Sequence, residues 1–344
     1  MDPGSARWWR AGAAAVALTV TLGCTADSGG SPGPAGTSPP RASSPAASEP
    51  SGTPSSEPPS ASPSASESAT GPSEPSRPVR FSAARANADV RHLAGRIGPR
   101  LATGPAYRRA AAWVAARFRR LGYDVERQTF PVPAGDSWGV PVGAGRSLNV
   151  VATPRGFDAS RPHRLVGAHL DTVAVAPGAE DNASGVAVVL ELTRLARSAE
   201  PALPTVFVAF GGEEPVGDGD ALHHFGSKRY VATMTRPQRR ALRAMAAFDR
   251  VGVGQVVPVC TGPLSPGVVQ RQVLRTARRL GVPTTACGDN TTSDHWSFEK
   301  AGYPVVRFGS TPFAGYHSAG DVPGVVAPGQ LARTGRVAWA WLRS

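Results

Sequence analysis

From Val79 onward, apolar and polar residues alternate with two different periods. Stretches 84–97 and 106–121 repeat their apolar residues at helical spacing, and Gly122 follows the second as a stop signal. Stretch 125–132 reads as a strand, a glycine-rich loop follows, and 147–152 reads as the next strand. Short apolar runs over 164–168, 205–210, 244–248, near 256–260 and over 303–308 then alternate with helical patterns over 184–197, near 227–234, 266–280 and 329–342. This alternation predicts the α/β class: a single domain over 79–344, with a mixed, largely parallel central sheet sandwiched by helices. Its length lies within the range of one such domain.

The residues ahead of Val79 follow a different pattern. Arg7 and Arg10 precede an apolar run over 11–22, too short to span a bilayer, which closes on the small residues Gly23-Cys24. Residues 1–24 therefore read as an export signal, and Thr21-Leu22-Gly23-Cys24 resembles the lipobox of bacterial lipoproteins. Thr21 departs from the usual aliphatic residue there; Cys24 becomes the expected lipidation site and the cell membrane an expected partner, with simple secretion as the alternative. Residues 25–78 hold 16 serines and 13 prolines in 54 positions, with no Val, Ile, Leu or aromatic side chain. Such a stretch cannot bury a core and is expected to be a disordered tether.

Composition changes this picture in two places. The net charge of +12 would suit nucleic acid, yet only Lys228 and Lys300 among the 37 basic residues are lysines. The arginines are scattered and no nucleic-acid-binding motif accompanies them, so no nucleic-acid partner is expected. With Cys24 set aside for lipid, Cys260 and Cys287 remain as an even pair in an exported chain, and a disulfide between them is expected.

The chemistry is concentrated just past the predicted strands. His169 and Asp171, two residues apart, should emerge on one face at the end of strand 164–168, with Asp171 placed to receive the second ring N–H of His169. Asp181 then opens a helix for which Ser184 can serve as a cap. Strand 205–210 is followed by Gly211-Gly212-Glu213-Glu214, strand 244–248 by Asp249, and strand 303–308, after a loop, by Tyr316-His317 and Asp321. In an open α/β sheet functional groups gather beyond the carboxyl ends of the strands. Two histidines and three carboxylates exceed the needs of one tetrahedral zinc and point to two ions sharing a carboxylate. Charge agrees: Asp181, Glu214, Asp249 and one hydroxide balance two Zn²⁺, which leaves Glu213 free as a general base.

His169-Leu170-Asp171, the run 178–185, Glu213-Glu214, Asp249, Ser293-Asp294-His295 and Tyr316-His317 with Asp321 together resemble the co-catalytic zinc aminopeptidases of bacteria. These share the zinc exopeptidase fold with glutaminyl cyclases. The resemblance covers about residues 85–342. It implies His169 and Asp249 on one zinc, Glu214 and His317 on the other, Asp181 bridging and Glu213 as base. It also implies a role for Tyr316 in stabilising the oxyanion and a cis peptide after Asp181. Asp171, Asp294 and Asp321 are assigned to the support around these ligands. The expected substrates are peptides and the expected state a monomer.

Two departures keep other readings open. Arg250 stands where many relatives carry methionine; it could receive a substrate carboxylate, the one support for a carboxypeptidase or an aminoacyl-amide hydrolase of this fold, or point outward with no functional role. The loop over 215–225 is longer than in compact aminopeptidases, as it is in glutaminyl cyclases; its acidic and histidine residues would suit an extra ion, but its glycines give no fixed ligand geometry and it is read as a polar rim of the pocket. A metal-free surface-binding lipoprotein is the alternative outside enzymes.

Overall fold

The computed structural model describes residues 79–344. The signal and lipid site expected within 1–24 and the tether expected over 25–78 lie outside the described residues. The chain begins with helix α1 (Ala83–Val90), which runs into a π-helical turn over Arg91–Ile97, and with α2 (Pro105–Arg120). Strand β1 (Asp124–Val132), the short pair β2 (Gly135–Ser137) and β3 (Val140–Val142), β4 (Gly145–Thr153) and β5 (His163–His169) follow. A kinked segment, Ala179–Ser184, whose backbone is not helical at Asp181 and Asn182, leads into α3 (Gly185–Ser198), and β6 (Thr205–Phe210) returns to the sheet. Then come α4 (Phe225–Thr233), α5 (Arg236–Ala241), β7 (Leu242–Phe248), β8 (Val257–Cys260) and α6 (Val268–Arg279). The chain closes with β9 (Thr284–Cys287), α7 (His295–Lys300), β10 (Val305–Phe308) and α8 (Pro328–Leu342).

Eight strands form one sheet in the order β1-β4-β6-β5-β7-β10-β8-β9, and four of its seven pairings are parallel. The α/β expectation holds, with the parallel run β6-β5-β7-β10 at the centre. Strands covered on both faces need apolar side chains throughout, and β6 and β10 are buried at every position. Alternation sorts them by face. Val166, Phe207, Ala246 and Val306 pack under α1, α2, α3, α6 and α8, while Leu165, Val206, Val208 and Met245 meet Tyr230 of α4 and Phe298 of α7. No helix among the described residues is long and apolar enough to cross a membrane.

Helices α5 and α7 and strand β9, six, six and four residues long, were not anticipated, because such short elements carry too little periodicity to read. The glycine-rich loop after β1 is a β2–β3 hairpin. Its two turn residues, Trp138 and Gly139, both take positive φ, 54° and 85°, as a tight hairpin of right-handed twist requires. The backbone N–H of Asp136 donates to the Val216 carbonyl at 3.0 Å and docks this hairpin on the loop beyond Glu214. Strands β8 and β9 place Cys260 opposite Cys287, 4.4 Å apart at Cα and joined through sulfur.

Candidate metal centre

The central strands all end on donors. His169 is the last residue of β5, Asp249 follows β7 directly, Glu213 and Glu214 follow β6 after two glycines, and His317 lies in the loop beyond β10. Parallel pairing of β5 with β6 and β7 keeps these ends level, so residues far apart in sequence converge. Asp181 comes from the segment between β5 and α3. Arg100, fully buried, donates to the carbonyls of Leu170, Pro177 and Gly178 at 2.9, 2.6 and 3.0 Å and pins that segment.

The peptide between Asp181 and Asn182 is cis. Asn182 Oδ1 accepts from the Gly185 N–H at 2.9 Å and so caps α3. Ser184, expected as the cap, instead donates to the Glu180 carbonyl at 2.7 Å and accepts from the Val251 N–H at 3.1 Å. Its own backbone is already helical, which turns the hydroxyl away from the orphan N–H groups it would have to reach. Gly185 is required here, because a Cβ would collide with the Phe248 carbonyl at the end of β7.

The donors form two triads that share one carboxylate. His169 Nε2 lies 3.1 Å from Asp181 Oδ1 and 3.5 Å from Asp249 Oδ1, while His317 Nε2 lies 3.2 Å from both Asp181 Oδ2 and Glu214 Oε2. Two ligand atoms of one tetrahedral zinc are about 3.3 Å apart, so both triads have edges of the right length. Among the described residues, His169 Nε2, Asp249 Oδ1 and Glu214 Oε1 are buried without a hydrogen-bond partner. These orphaned atoms, within a set of two imidazoles and three carboxylates, fit a pair of divalent ions.

The electrostatics point the same way. Burial would depress the His169 pKa, but the carboxylates of Glu213, Asp181 and Asp249 outweigh it and hold it well above the usual value. Burial likewise opposes His317, which Asp181 and Glu214 nevertheless lift to about 9. Burial and the charge of Asp181 push the Glu214 carboxyl up to about 8. In this cluster protons stand in for cations, and metal would displace them.

The surrounding contacts hold the donors in place. Asp321 accepts the N–H groups of Glu180 and Asp181 at 2.7 and 2.9 Å. Asp171 was expected to receive the His169 ring with its carboxylate. That carboxylate is 3.9 Å from Nδ1 and accepts the N–H groups of Glu213 and Glu214 instead, at 3.2 and 3.1 Å, so the ring turns to the Asp171 backbone carbonyl at 3.2 Å. Asp294 is buried at the head of α7 and belongs to none of the donor clusters. Burial, then the charge of Glu213, raises its carboxyl well above the usual range.

Arg307, unremarked in the sequence, is fully buried with Nη2 2.9 Å from Asp249 Oδ2, at an angle short of hydrogen-bond geometry. Its Nη1 donates to Asn290 Oδ1 and Thr292 Oγ1, both at 2.8 Å. An arginine inside the apolar run Val305-Val306-Arg307-Phe308 was the available signal, since a buried guanidinium needs a partner.

Around the triads lies a cavity of about 200 Å³, walled in part by Trp138, Arg250, Tyr316 and His223. The Tyr316 ring stacks on His317 at 3.7 Å, the Arg250 guanidinium sits 4.3 Å over Tyr316, and Trp138 meets His317 edge-on at 4.3 Å. The loop over 215–225, read as a polar rim, folds back onto Glu213. His223 and His224 present Nε2 to Glu213 Oε1 at 3.5 and 3.2 Å. A larger groove of about 790 Å³, bordered by Arg120, Arg155 and Arg197, lies beside Thr205 at the opposite end of β6 and contains none of the donor clusters.

Fold and site together define an α/β protein with a carboxylate-bridged pair of donor triads at the carboxyl edge of its sheet. The chain belongs to peptidase family M28, whose model matches residues 149–342. It is similar to aminopeptidase YwaD of Bacillus subtilis, 28% identical over 167 residues that cover 47% of this chain and 35% of that protein. The chain spans 35% to 54% of the length of three such curated relatives. Among solved structures, the zinc aminopeptidase BSAP of Bacillus subtilis superposes with a TM-score of 0.68 at 19% identity, over 77% of this chain and 95% of that one. A glutaminyl cyclase of Fimbriiglobus ruber superposes with a TM-score of 0.64 at 20% identity, over 78% and 96%. At these identities the structural likeness shows the fold alone.

Proposed function

We propose that this chain is an exported two-zinc aminopeptidase that removes N-terminal residues from peptides. The observation that carries this reading is the Asp181 carboxylate, whose two oxygens face different triads at 3.1 and 3.2 Å. His169 with Asp249 would hold one ion and Glu214 with His317 the other, with Asp181 between them. Such a pair, when bound, supplies Lewis-acid activation of water and of the scissile carbonyl.

The protein's own groups do the rest. Glu213 keeps its carboxylate at the triads, with Oε2 3.8 Å from His169 Nε2, where it can take the proton of the attacking water and return it to the leaving amine. Burial would raise the Glu213 carboxyl, but the charges of His169 and His223 outweigh this and keep it ionised, as a base must be. Tyr316, partly exposed at the cavity wall, would donate its hydroxyl to the developing oxyanion. Trp138 and Arg250 border the space left for the substrate.

The names of relatives such as YwaD support the aminopeptidase reading, as does the completeness of the donor set. Cyclisation of N-terminal glutamine is the second reading, favoured by the long 215–225 loop and the cyclase-like fold. Export rests on the pattern of residues 1–24, with a lipid on Cys24 as anchor, and a Cys260–Cys287 bond suits an oxidising location.

The deciding experiment is zinc per chain by elemental analysis, with parallel assays on a Leu-headed and a Gln-headed peptide, the products identified by mass. Two zincs and a released N-terminal residue are expected. A single zinc with loss of ammonia from the Gln-headed peptide and no cleavage would replace this reading by the cyclase.

A further inference from the structure

We infer that Glu213, His223 and His224 form a third divalent-cation site, one that takes zinc beside the bridged pair. The first ground is distance. Glu213 Oε1 is 3.2 Å from His224 Nε2 and 3.5 Å from His223 Nε2, the same range as the edges of the two main triads. Zinc ligand atoms about 3.3 Å apart fit these edges. A carboxylate hydrogen-bonded to an imidazole would draw closer, to about 2.7–2.9 Å.

The second ground is an orphaned side chain. His224 is 1% exposed, and neither of its ring nitrogens has a hydrogen-bond partner. Leaving both buried nitrogens unmade is costly, and an ion at Nε2 removes half of that cost. Nδ1 lies 3.7 Å from the Asp220 carboxylate, which Lys228 and Lys300 hold, so the ring is oriented with Nε2 toward Glu213.

The loop that carries the pair is fixed at its base. The His224 N–H donates to the Glu213 carbonyl at 3.0 Å and the Phe225 N–H to the Gly212 carbonyl at 2.7 Å. His224 takes φ 59°, a left-handed conformation in which a residue other than glycine is held only by its surroundings. Its ring stacks on His223 at 3.6 Å and 18°, which brings both Nε2 atoms to one carboxylate oxygen. Two histidines and a glutamate leave a fourth tetrahedral position for water. Affinity is lower than at the bridged pair, because one carboxylate serves the site and His223 is only partly buried.

The consequence for activity rests on the reading of Glu213 as base. A zinc ion on Oε1 withdraws that carboxylate from proton transfer, so excess zinc inhibits. The full chain is dialysed against rising free zinc, and zinc per chain is counted beside turnover of a Leu-headed peptide. The same series is run on His223→Ala and on His224→Asn, asparagine being tolerant of the left-handed conformation. The parent is expected to bind one zinc beyond the count at which activity peaks, and to lose about a hundredfold or more of its activity as it does so. Both variants should lack that extra ion and the inhibitory phase.

Cobalt titration followed by visible absorption provides a second count. If His224→Asn misfolds, His223→Ala decides alone. A parent that takes up no further ion, or variants that keep it, would overturn the site. An extra ion that the variants lose, bound without inhibition, would uphold the site and remove Glu213 from its role as base.

Discussion

Arg307 of β10 lies 2.9 Å from Oδ2 of Asp249 at the end of β7, with the guanidinium fully buried. Burial would raise the Asp249 carboxyl, but Arg307, together with His169, outweighs it and keeps the group ionised. Oδ2 is thereby occupied from behind the site, and Oδ1 is left facing His169 Nε2. The oxygen that Asp249 leaves free toward its triad is thus selected by a residue that belongs to none of the donor clusters.

Removing this partner should be costly. Arg307→Met leaves a buried carboxylate uncompensated, and a loss of about 3–5 kcal/mol of stability is expected. Denaturant midpoints for the parent and variant check it, with zinc content as a second readout. Arg307→Lys restores the charge without the fork and should fall between the two. A variant as stable as the parent would refute the role.

Asp171, just past β5, holds the amides of Glu213 and Glu214, just past β6. Asp171→Ala strands the buried N–H groups of Glu213 and Glu214, each at about 1–3 kcal/mol. Because Glu214 then loses its anchor, zinc affinity should fall by about 10–100-fold. Competition with a chelator of known affinity measures this, and unchanged affinity would contradict it.

Glu213→Gln keeps the shape of the side chain and removes only its basicity. Zinc content should match the parent, while turnover of a Leu-headed peptide falls by about 10²–10⁴-fold. Undiminished turnover would exclude Glu213 as the base.

Asp89, on α1 and in none of the donor clusters, carries a pH effect of its own. Burial lifts its carboxyl to about 6, only partly offset by Arg117 at 2.9 Å. The folded chain therefore holds this proton more tightly than the unfolded chain. Its contribution to stability is largest below pH 4 and is lost as pH rises through about 6. Asp89→Asn should flatten the change in denaturant midpoint between pH 4 and 7, and an unaltered slope would refute the shift.

Much of this protein was legible before any coordinates. Each donor follows its own apolar strand, so His169, Glu213, Glu214, Asp249 and His317 could be placed on one edge of a parallel sheet from local periodicity alone. Asp181 could be placed at the head of the helix that follows β5, while its bridging role came from the family resemblance. Periodicity records which residues an element buries, and the chain carries that record locally.

Other relationships belong to tertiary structure. Arg307 meets Asp249, 58 positions earlier in the chain, because β10 lies beside β7 with Phe308 opposite Phe248. The Asp171 carboxylate turns to the Glu213 and Glu214 amides because β6 ends level with β5. His223 and His224 reach Glu213 only because two backbone hydrogen bonds close the base of their loop. Sequence determined which side chains stand at strand ends and which faces are apolar. Strand order and loop closure decided which of those side chains touch, because contacts between distant segments leave no periodic trace in the chain.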